Sequence, residues 1–143
     1  MYLGPSGAAD PGVHRPHGRH GGEHRRAGRG AVGTVDVDDA DHLSDRVVEL
    51  VTEMLERNGI AHDALISIIF TATEDLTSTF PATAARKVGL GDVPLICARE
   101  LSIDGAMPRC VRVMMHLETE LGRDELRHVY LHDARSLRDD LPE

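Results

Sequence analysis

The stretch RCVRVMMHLE, residues 109–118, decides the fold because it alternates like a β-strand that is buried on one side. Side chains on a strand alternate between two faces, so every second residue from Val111 to Leu117 forms one apolar face. Arg112 lies on the other face, in the partly apolar company of Met114. A guanidinium in such surroundings is costly unless it is paired. The sequence therefore predicts a partner for Arg112, either an internal carboxylate or a bound anion.

The segments around this strand predict a mixed α and β domain. Apolar residues recur every three or four positions from Leu43 to Leu55, which indicates a helix that begins after a cap at Asp38 or Asp39 and ends at Gly59. Further strands are predicted at 31–35, 64–72, 92–98 and 127–132, and a short helix is predicted to begin at Pro81. The apolar run at 64–72 predicts burial on both faces. The predicted fold class is α+β, a mixed β-sheet with one long helix packed across one face.

Length and composition indicate a single domain after a leader. The chain has 143 residues, of which 41% are hydrophobic, enough for one ordinary core. Residues 1–28 are rich in Gly, Pro, His and Arg and are predicted to be disordered, which leaves 29–143 as the domain. The longest apolar run is far shorter than the ~20 residues of a membrane span, and no signal peptide pattern opens the chain. We therefore expect a cytoplasmic protein with no membrane partner.

Charge and cysteine content exclude several function classes. Residues 31–143 carry 22 Asp and Glu against 11 Lys and Arg, and the whole chain has only two Phe and two Tyr. A nucleic acid partner is therefore not expected, because it requires a basic surface and usually aromatic stacking groups. Cys97 and Cys110 lack the spacing of a disulfide framework or a zinc site, so no metal is expected.

Glu100 follows the strand predicted at 92–98 and is the first candidate partner for Arg112. A structural ion pair would explain both residues without any ligand. The presence of Arg29 and Arg86 favours the other alternative, because several arginines around one cleft attract an external anion with more than one carboxylate or phosphate. From the residues alone, both alternatives stay open.

Three segments resemble the AroH class of monofunctional chorismate mutases. They are FTATEDLTSTFPATAAR (70–86), VPLICARELSIDGAMPRCVRVMMH (93–116) and RHVYLHDARSLRDDL (127–141). The resemblance covers residues 29–141, with the motifs in the family's order. It implies a homotrimeric pseudo-α/β barrel with active sites between neighbouring subunits. It also implies the rearrangement of chorismate to prephenate, on the way to phenylalanine and tyrosine, with no cofactor.

The resemblance also implies roles for individual residues. Arg112 would contact the ether oxygen and a carboxylate of the substrate, and Glu100 would bond the ring hydroxyl; these two are the predicted catalytic residues. The predicted substrate-binding residues fall into three groups. Within one subunit, Arg29 and Tyr130 would contact carboxylates, and Cys97 would lie near the ring hydroxyl with Ile96, Ala98 and Arg99 beside it. The adjacent subunit would contribute Phe80, Ala82 and Arg86, and Leu137 and Arg138 would cover the mouth of the site. The spacing between Arg29 and the first helix is one residue longer than in the family, so the face on which Arg29 lies depends on the register of the first strand.

A different class of function is a Rid-like imine or enamine deaminase, a trimer of similar architecture that also pairs an arginine with a glutamate between subunits. A non-catalytic carboxylate-binding trimer would hold an anion in the same way. The segment VRVMMHLETE (111–120) fits the mutase pattern better than the deaminase pattern.

Overall fold

The computed structural model describes residues 24–137. A five-stranded sheet consists of β1 (Arg25–Thr34), β2 (Leu65–Ala72), β3 (Leu95–Arg99), β4 (Cys110–Thr119) and β5 (Val129–Leu131). The strand order is β3-β2-β4-β1-β5. β4 is antiparallel to both of its neighbours, β1 and β2, whereas the outer pairs β2–β3 and β1–β5 are parallel. The predicted α+β class and mixed sheet are confirmed.

The long helix α1 (Ala40–Arg57) forms where the apolar spacing predicts it. Its first turn is capped by Asp39, whose Oδ1 accepts a hydrogen bond from the backbone N–H of His42 at 3.0 Å. The chain leaves the helix through Gly59, whose φ of +58° is a left-handed conformation that favours glycine. Its buried residues, from Leu43 to Met54, recur at helical spacing. The predicted cap and end of this helix are confirmed.

The core lies between the helices and one face of the sheet. On β4 the alternate residues Val111, Val113, Met115 and Leu117 are all buried, as the opening stretch predicts. They meet the apolar side of α1 and the short helix α2 (Pro81–Lys87). Burying one such side chain contributes about 1.5–3 kcal/mol, so this face of the sheet supplies much of the folding free energy.

The other face of the sheet is not covered by a helix. The prediction that β2 is buried on both faces is wrong for the single chain: Ile68 and Phe70 are fully buried, but Ile66 is exposed and Ile69 only partly buried. The reason is that both helices pack on the same side, a feature that the apolar run alone does not encode.

Three element boundaries differ from the predictions. β1 begins at Arg25, so 25–28 belong to the sheet and not to the predicted leader, because the long strand β4 offers backbone partners as far as Thr119. β3 begins at Leu95, after Pro94, which has no N–H to donate. β5 is limited to Val129–Leu131 by its short pairing with β1. The rest of the predicted leader, 1–23, lies outside the described residues.

Two short 3₁₀ helices, His62–Ala64 and His132–Leu137, complete the described chain. The second follows β5 directly and packs near β1. Within residues 24–137, no helix has the length and apolar character needed to cross a membrane.

Candidate active site

A cavity of about 320 Å³ lies on the uncovered face of the sheet. Its walls are mostly apolar or small, and its charged groups are one arginine and one glutamate. The lining residues are Gly30, Ala31, Val32, Ile69, Thr71, Glu100, Arg112, Val113, Met114, His128 and Tyr130. An apolar cavity with a few polar groups is typical of a small-molecule site.

The sheet register places the functional side chains of this cavity in one row. Arg112 on β4 pairs with Thr71 on β2 and with Val32 on β1. The row extends to Tyr130 on β5 and, through Thr71, to Ala98 on β3. Cross-strand partners lie on the same face of a sheet, so residues distant in sequence meet here because of strand order alone.

Arg112 and Glu100 form an ion pair at the edge of this row. The distance from Arg112 Nε to Glu100 Oε1 is 2.8 Å, and the hydroxyl of Thr71 donates to the same oxygen at 2.6 Å. The backbone N–H of Glu100 donates to the carbonyl of Ala72 at 3.0 Å, which extends the contact between β3 and β2. The glutamate is therefore fixed by two neighbours as well as by the arginine.

The arginine of this pair remains open to solvent. Its side chain is 53% exposed, against 23% for Glu100. An ion pair with that exposure typically contributes only about 0–1 kcal/mol, because solvent screens it. The internal carboxylate predicted for Arg112 is present, yet the pair is weak enough for a bound anion to compete for the guanidinium, which has further N–H donors beyond Nε.

Four of the other predicted site residues line a second cavity, of about 430 Å³. It is lined by the loop from Ala72 to Pro81, including Phe80, and by Cys97, Ala98 and Arg99 of β3. Phe80 is 72% exposed and Ile96 is 60% exposed, which is unusual for large apolar side chains. Within one chain, none of these residues lines the cavity that holds Arg112.

The α2 residues Ala82 and Arg86 differ in environment. Ala82 is buried in the core, whereas Arg86 is exposed at the end of the helix. The structure brings neither into the Arg112 cavity of the same chain. Leu137 ends the 3₁₀ helix and is partly exposed, and Arg138 lies outside the described residues.

Arg29 lies on the opposite face of the sheet from Arg112. Its cross-strand partner is Met115, which is in the core. The guanidinium is buried and donates to the backbone carbonyls of Leu126 at 3.3 Å, Gly28 at 3.2 Å and Arg123. Burial, together with the charges of Arg123 and Arg25, lowers the pKa of Arg29. The structure therefore does not bring Arg29 to the cavity of its own chain, because its donors are directed elsewhere by the strand register.

Several lining residues were not singled out as site residues from the sequence. Thr71 is the most consequential, because its hydroxyl orients Glu100. Thr71 is the first polar residue after the apolar part of ALISIIFTA, which is the signal that could have found it. His128, Val32 and Ile69 carry no such signal, since only the strand order brings them to the cavity.

The two cysteines are free and lie on strands that are not neighbours. Cys110 is buried, and burial raises the pKa of its thiol. Among residues 24–137, no group of three or more His, Cys, Asp or Glu side chains is arranged to hold a metal ion.

The sequence also matches a family model, for chorismate mutase type I, over residues 25–141. The chain belongs to this family. The matched region begins at the first residue of β1 and contains the whole described sheet. It includes every residue that lines the cavity around Arg112.

Known relatives agree with the family. The chain is 47% identical to the chorismate mutase AroH of Thermus thermophilus over 114 residues, which cover 79% of this chain and 93% of that protein. It is 35% identical to the chorismate mutase AroH of Bacillus subtilis, over 79% of this chain and 89% of that protein. A solved chorismate mutase from Clostridium thermocellum superposes with a TM-score of 0.76 at 39% identity, over 77% of this chain and 98% of that one.

Proposed function

We propose that this chorismate mutase, an isomerase, rearranges chorismate to prephenate in the cavity around Arg112. The observation that supports this location is the partly exposed Arg112–Glu100 pair beside a mostly apolar wall. We further propose that the enzyme works in the cytoplasm, in the biosynthesis of phenylalanine and tyrosine.

The chemistry explains why an arginine and a glutamate suffice. Chorismate is a dianion that folds so that its enolpyruvyl carbon meets a ring carbon while the ether C–O bond breaks. The rearrangement is intramolecular and requires neither a nucleophile nor a proton transfer. Catalysis then comes from holding the reactive conformer and from placing charges where the transition state needs them.

Arg112 exchanges partners on binding in this proposal. The guanidinium leaves its weak pair with Glu100 and donates to the ether oxygen, which gains negative charge as the bond breaks, and to a substrate carboxylate. Glu100, kept in place by Thr71, accepts from the ring hydroxyl and faces the ring as it becomes more cationic. Tyr130, in the same row of the sheet as Arg112, donates its hydroxyl to the enolpyruvyl carboxylate.

We propose that a neighbouring subunit completes the cavity, in a homotrimer. Two features support this. First, Arg112 is half exposed in one chain, whereas a catalytic charge acts best in a site shielded from water. Second, the side chain of Phe80 is exposed, and with Ala82 and Arg86 on α2 it would be contributed to the cavity of the adjacent subunit. Leu137 and Arg138 would cover the opening.

The activity is tested by mixing the purified protein with chorismate, with no metal or nucleotide added. The near-ultraviolet absorbance of chorismate should disappear, and prephenate should accumulate in equal amount. A matched pair of variants locates the site: Arg112→Lys should lose most of this activity, and Arg57→Lys should retain it, since Arg57 is ion-paired with Glu53 at 2.7 Å on α1, away from the cavity. Equal activity in the two variants would remove Arg112 from its proposed role.

The shared site is tested by combining two defective variants. Arg112→Lys and Arg86→Gln subunits are co-expressed with different tags, and mixed oligomers are purified through both tags. If neighbours share a site, some mixed sites receive Arg112 from one subunit and Arg86 from the next, so activity should exceed that of either variant alone. No recovery in verified mixed oligomers would contradict the shared site.

A further inference from the structure

A cleft of about 350 Å³ lies at the start of β1 and shares no lining residue with the Arg112 cavity. Four of its six lining residues are arginines: Arg25, Arg26 and Arg29 from β1, and Arg123 from the loop between β4 and β5. Strand alternation places the side chain of Arg26, the cross-strand partner of Glu118, on the opposite face of the sheet, so three guanidinium groups can meet in the cleft, those of Arg25, Arg29 and Arg123. The other two, Ala27 and Gly28, add no polar side chain. The volume is in the range of ~300–1,000 Å³ that is usual for small-molecule sites.

No carboxylate among the described residues neutralises these arginines. Within that part of the chain, Arg29 donates to backbone carbonyls only, and Arg25 Nε donates to the carbonyl of Leu121 at 2.8 Å. The ion pairs formed among residues 24–137 include none of the four. The charges of Arg123 and Arg25 act together with burial to lower the pKa of Arg29, so the cations are close enough to repel one another.

Arg112 and the arginines of this cleft differ in the charges that surround them. Arg112 has Glu100 as a partner, whereas the described neighbours of the arginines at the start of β1 include one another. An anion bound between them would replace repulsion with attraction. Guanidinium groups match the oxygen atoms of phosphate and carboxylate groups in forked geometry, so several converging arginines favour a ligand with more than one negative charge.

The lining also restricts the size and kind of the ligand. The Arg112 cavity has a mostly apolar wall that could receive a ring, but in the described part of the chain this cleft has only Ala27 and Gly28 beside its arginines. We propose that the arginine cleft binds a small, multiply charged oxyanion of the phosphate class, either the free ion or the phosphate group of a metabolite, at a site separate from the Arg112 cavity.

The test is a titration of the full-length protein with inorganic phosphate, at constant ionic strength balanced with chloride, followed by calorimetry. We expect saturable binding that Arg123→Gln weakens about tenfold, the effect of losing one charge-assisted contact. The matched control is Arg127→Gln, which removes the same charge from an exposed position four residues away and outside the cleft. Its affinity for phosphate should be unchanged. Should Arg123→Gln fail to fold, Arg25→Gln, at another exposed position of the cleft and on the same face of β1 as Arg29, replaces it.

Two further titrations sharpen the result. A phosphomonoester such as glycerol 3-phosphate distinguishes the sources: tighter binding than phosphate indicates a metabolite, and weaker binding indicates the free ion. Phosphate titrated in the presence of saturating prephenate should bind with the same affinity. The proposal is overturned if prephenate competes with phosphate, if Arg123→Gln and Arg127→Gln weaken binding equally, or if phosphate gives no saturable heat.

Discussion

Val113 and Arg112 are neighbours on β4 but meet opposite environments. Val113 is 1% exposed beneath the helices, whereas the side chain of Arg112 is 53% exposed above the open cavity. The same alternation continues along the strand, where Met115 is fully buried and Met114 is 43% exposed. One face of this sheet therefore stabilises the fold, and the other leaves Arg112 open to a ligand.

The largest expected effect on activity is that of Arg112→Lys. Lysine keeps the charge but loses the planar fork that could reach the ether oxygen and a carboxylate together. We expect the turnover number to fall by about 10²–10³-fold, the usual loss for a donor to developing negative charge, with a smaller change in KM. The melting temperature should hardly change, because the pair with Glu100 is exposed. Steady-state kinetics with chorismate measures the turnover number and KM, and a thermal melt measures the melting temperature.

The opposite outcome would show that the open face, like the core face, serves the fold. If Arg112→Lys unfolded the protein and left the turnover of the remaining folded fraction intact, Arg112 would be a structural residue. The functional face would then have to be sought around the cavity lined by Phe80.

The methionines at 114 and 115 give the matched test of stability. Met115→Ala should lower the free energy of unfolding by about 2–5 kcal/mol, because it leaves a cavity in the core. Met114→Ala should lower it by less than about 1 kcal/mol, since the side chain is exposed in the single chain. Denaturant unfolding of both variants at one protein concentration measures the difference. Equal losses would mean that the open face is buried as deeply as the core, as a tight subunit interface would require.

The two faces also differ in how much the sequence reveals about them. Burial on the core face can be predicted from short segments of the sequence. The alternation on β4 and the spacing in α1 predict which residues are buried, and the structure confirms both. For Arg112 the sequence offers two kinds of partner, Glu100 after a predicted strand or a bound anion, and the structure shows the pair with Glu100.

The pairing of distant strands and the placement of the helices cannot be predicted from single segments. β1 extends back to Arg25 because β4 is long enough to pair with it, and Ile69 is only partly buried because both helices pack on one side. The family resemblance predicts that Arg29 binds a substrate carboxylate, yet its pairing with Met115 places its side chain on the face opposite the cavity. Strand register and helix placement are properties of the whole sheet, so no single segment encodes them.

A moderate effect is expected from Thr71→Val, which removes the hydroxyl that holds Glu100 but keeps the shape of the side chain. The kcat/KM for chorismate should fall about tenfold, since one hydrogen bond to a charged group is lost. Thr52→Val, on α1, is the matched control and should leave the kinetics unchanged. A loss of melting temperature without a loss of kcat/KM would mean that Thr71 supports the sheet and not the glutamate.

The smallest effect is expected at Asp38, which joins the entrance of α1 to the loop that carries Phe80. Its carboxylate accepts from the backbone N–H of Ser78 at 3.1 Å and from the hydroxyl of Thr77 at 2.9 Å. Hydrogen bonds from Ser78 and Thr77 lower the pKa of Asp38 below its ordinary value of 3.8. Because the folded pKa is depressed, this contribution to stability is complete above that value and is lost as the pH falls through the folded pKa.

Asp38→Asn should therefore lower the melting temperature by a few degrees at neutral pH, and the difference from the unmodified protein should vanish in strong acid. Melting curves of both proteins between neutral and acidic pH measure this convergence. A difference in melting temperature that stayed constant at every pH would show that the carboxylate charge is not what holds the loop.

The same variant should also affect the kinetics, because the loop carries Phe80. If that side chain helps to enclose the substrate of a neighbouring subunit, Asp38→Asn should raise KM more than it lowers kcat.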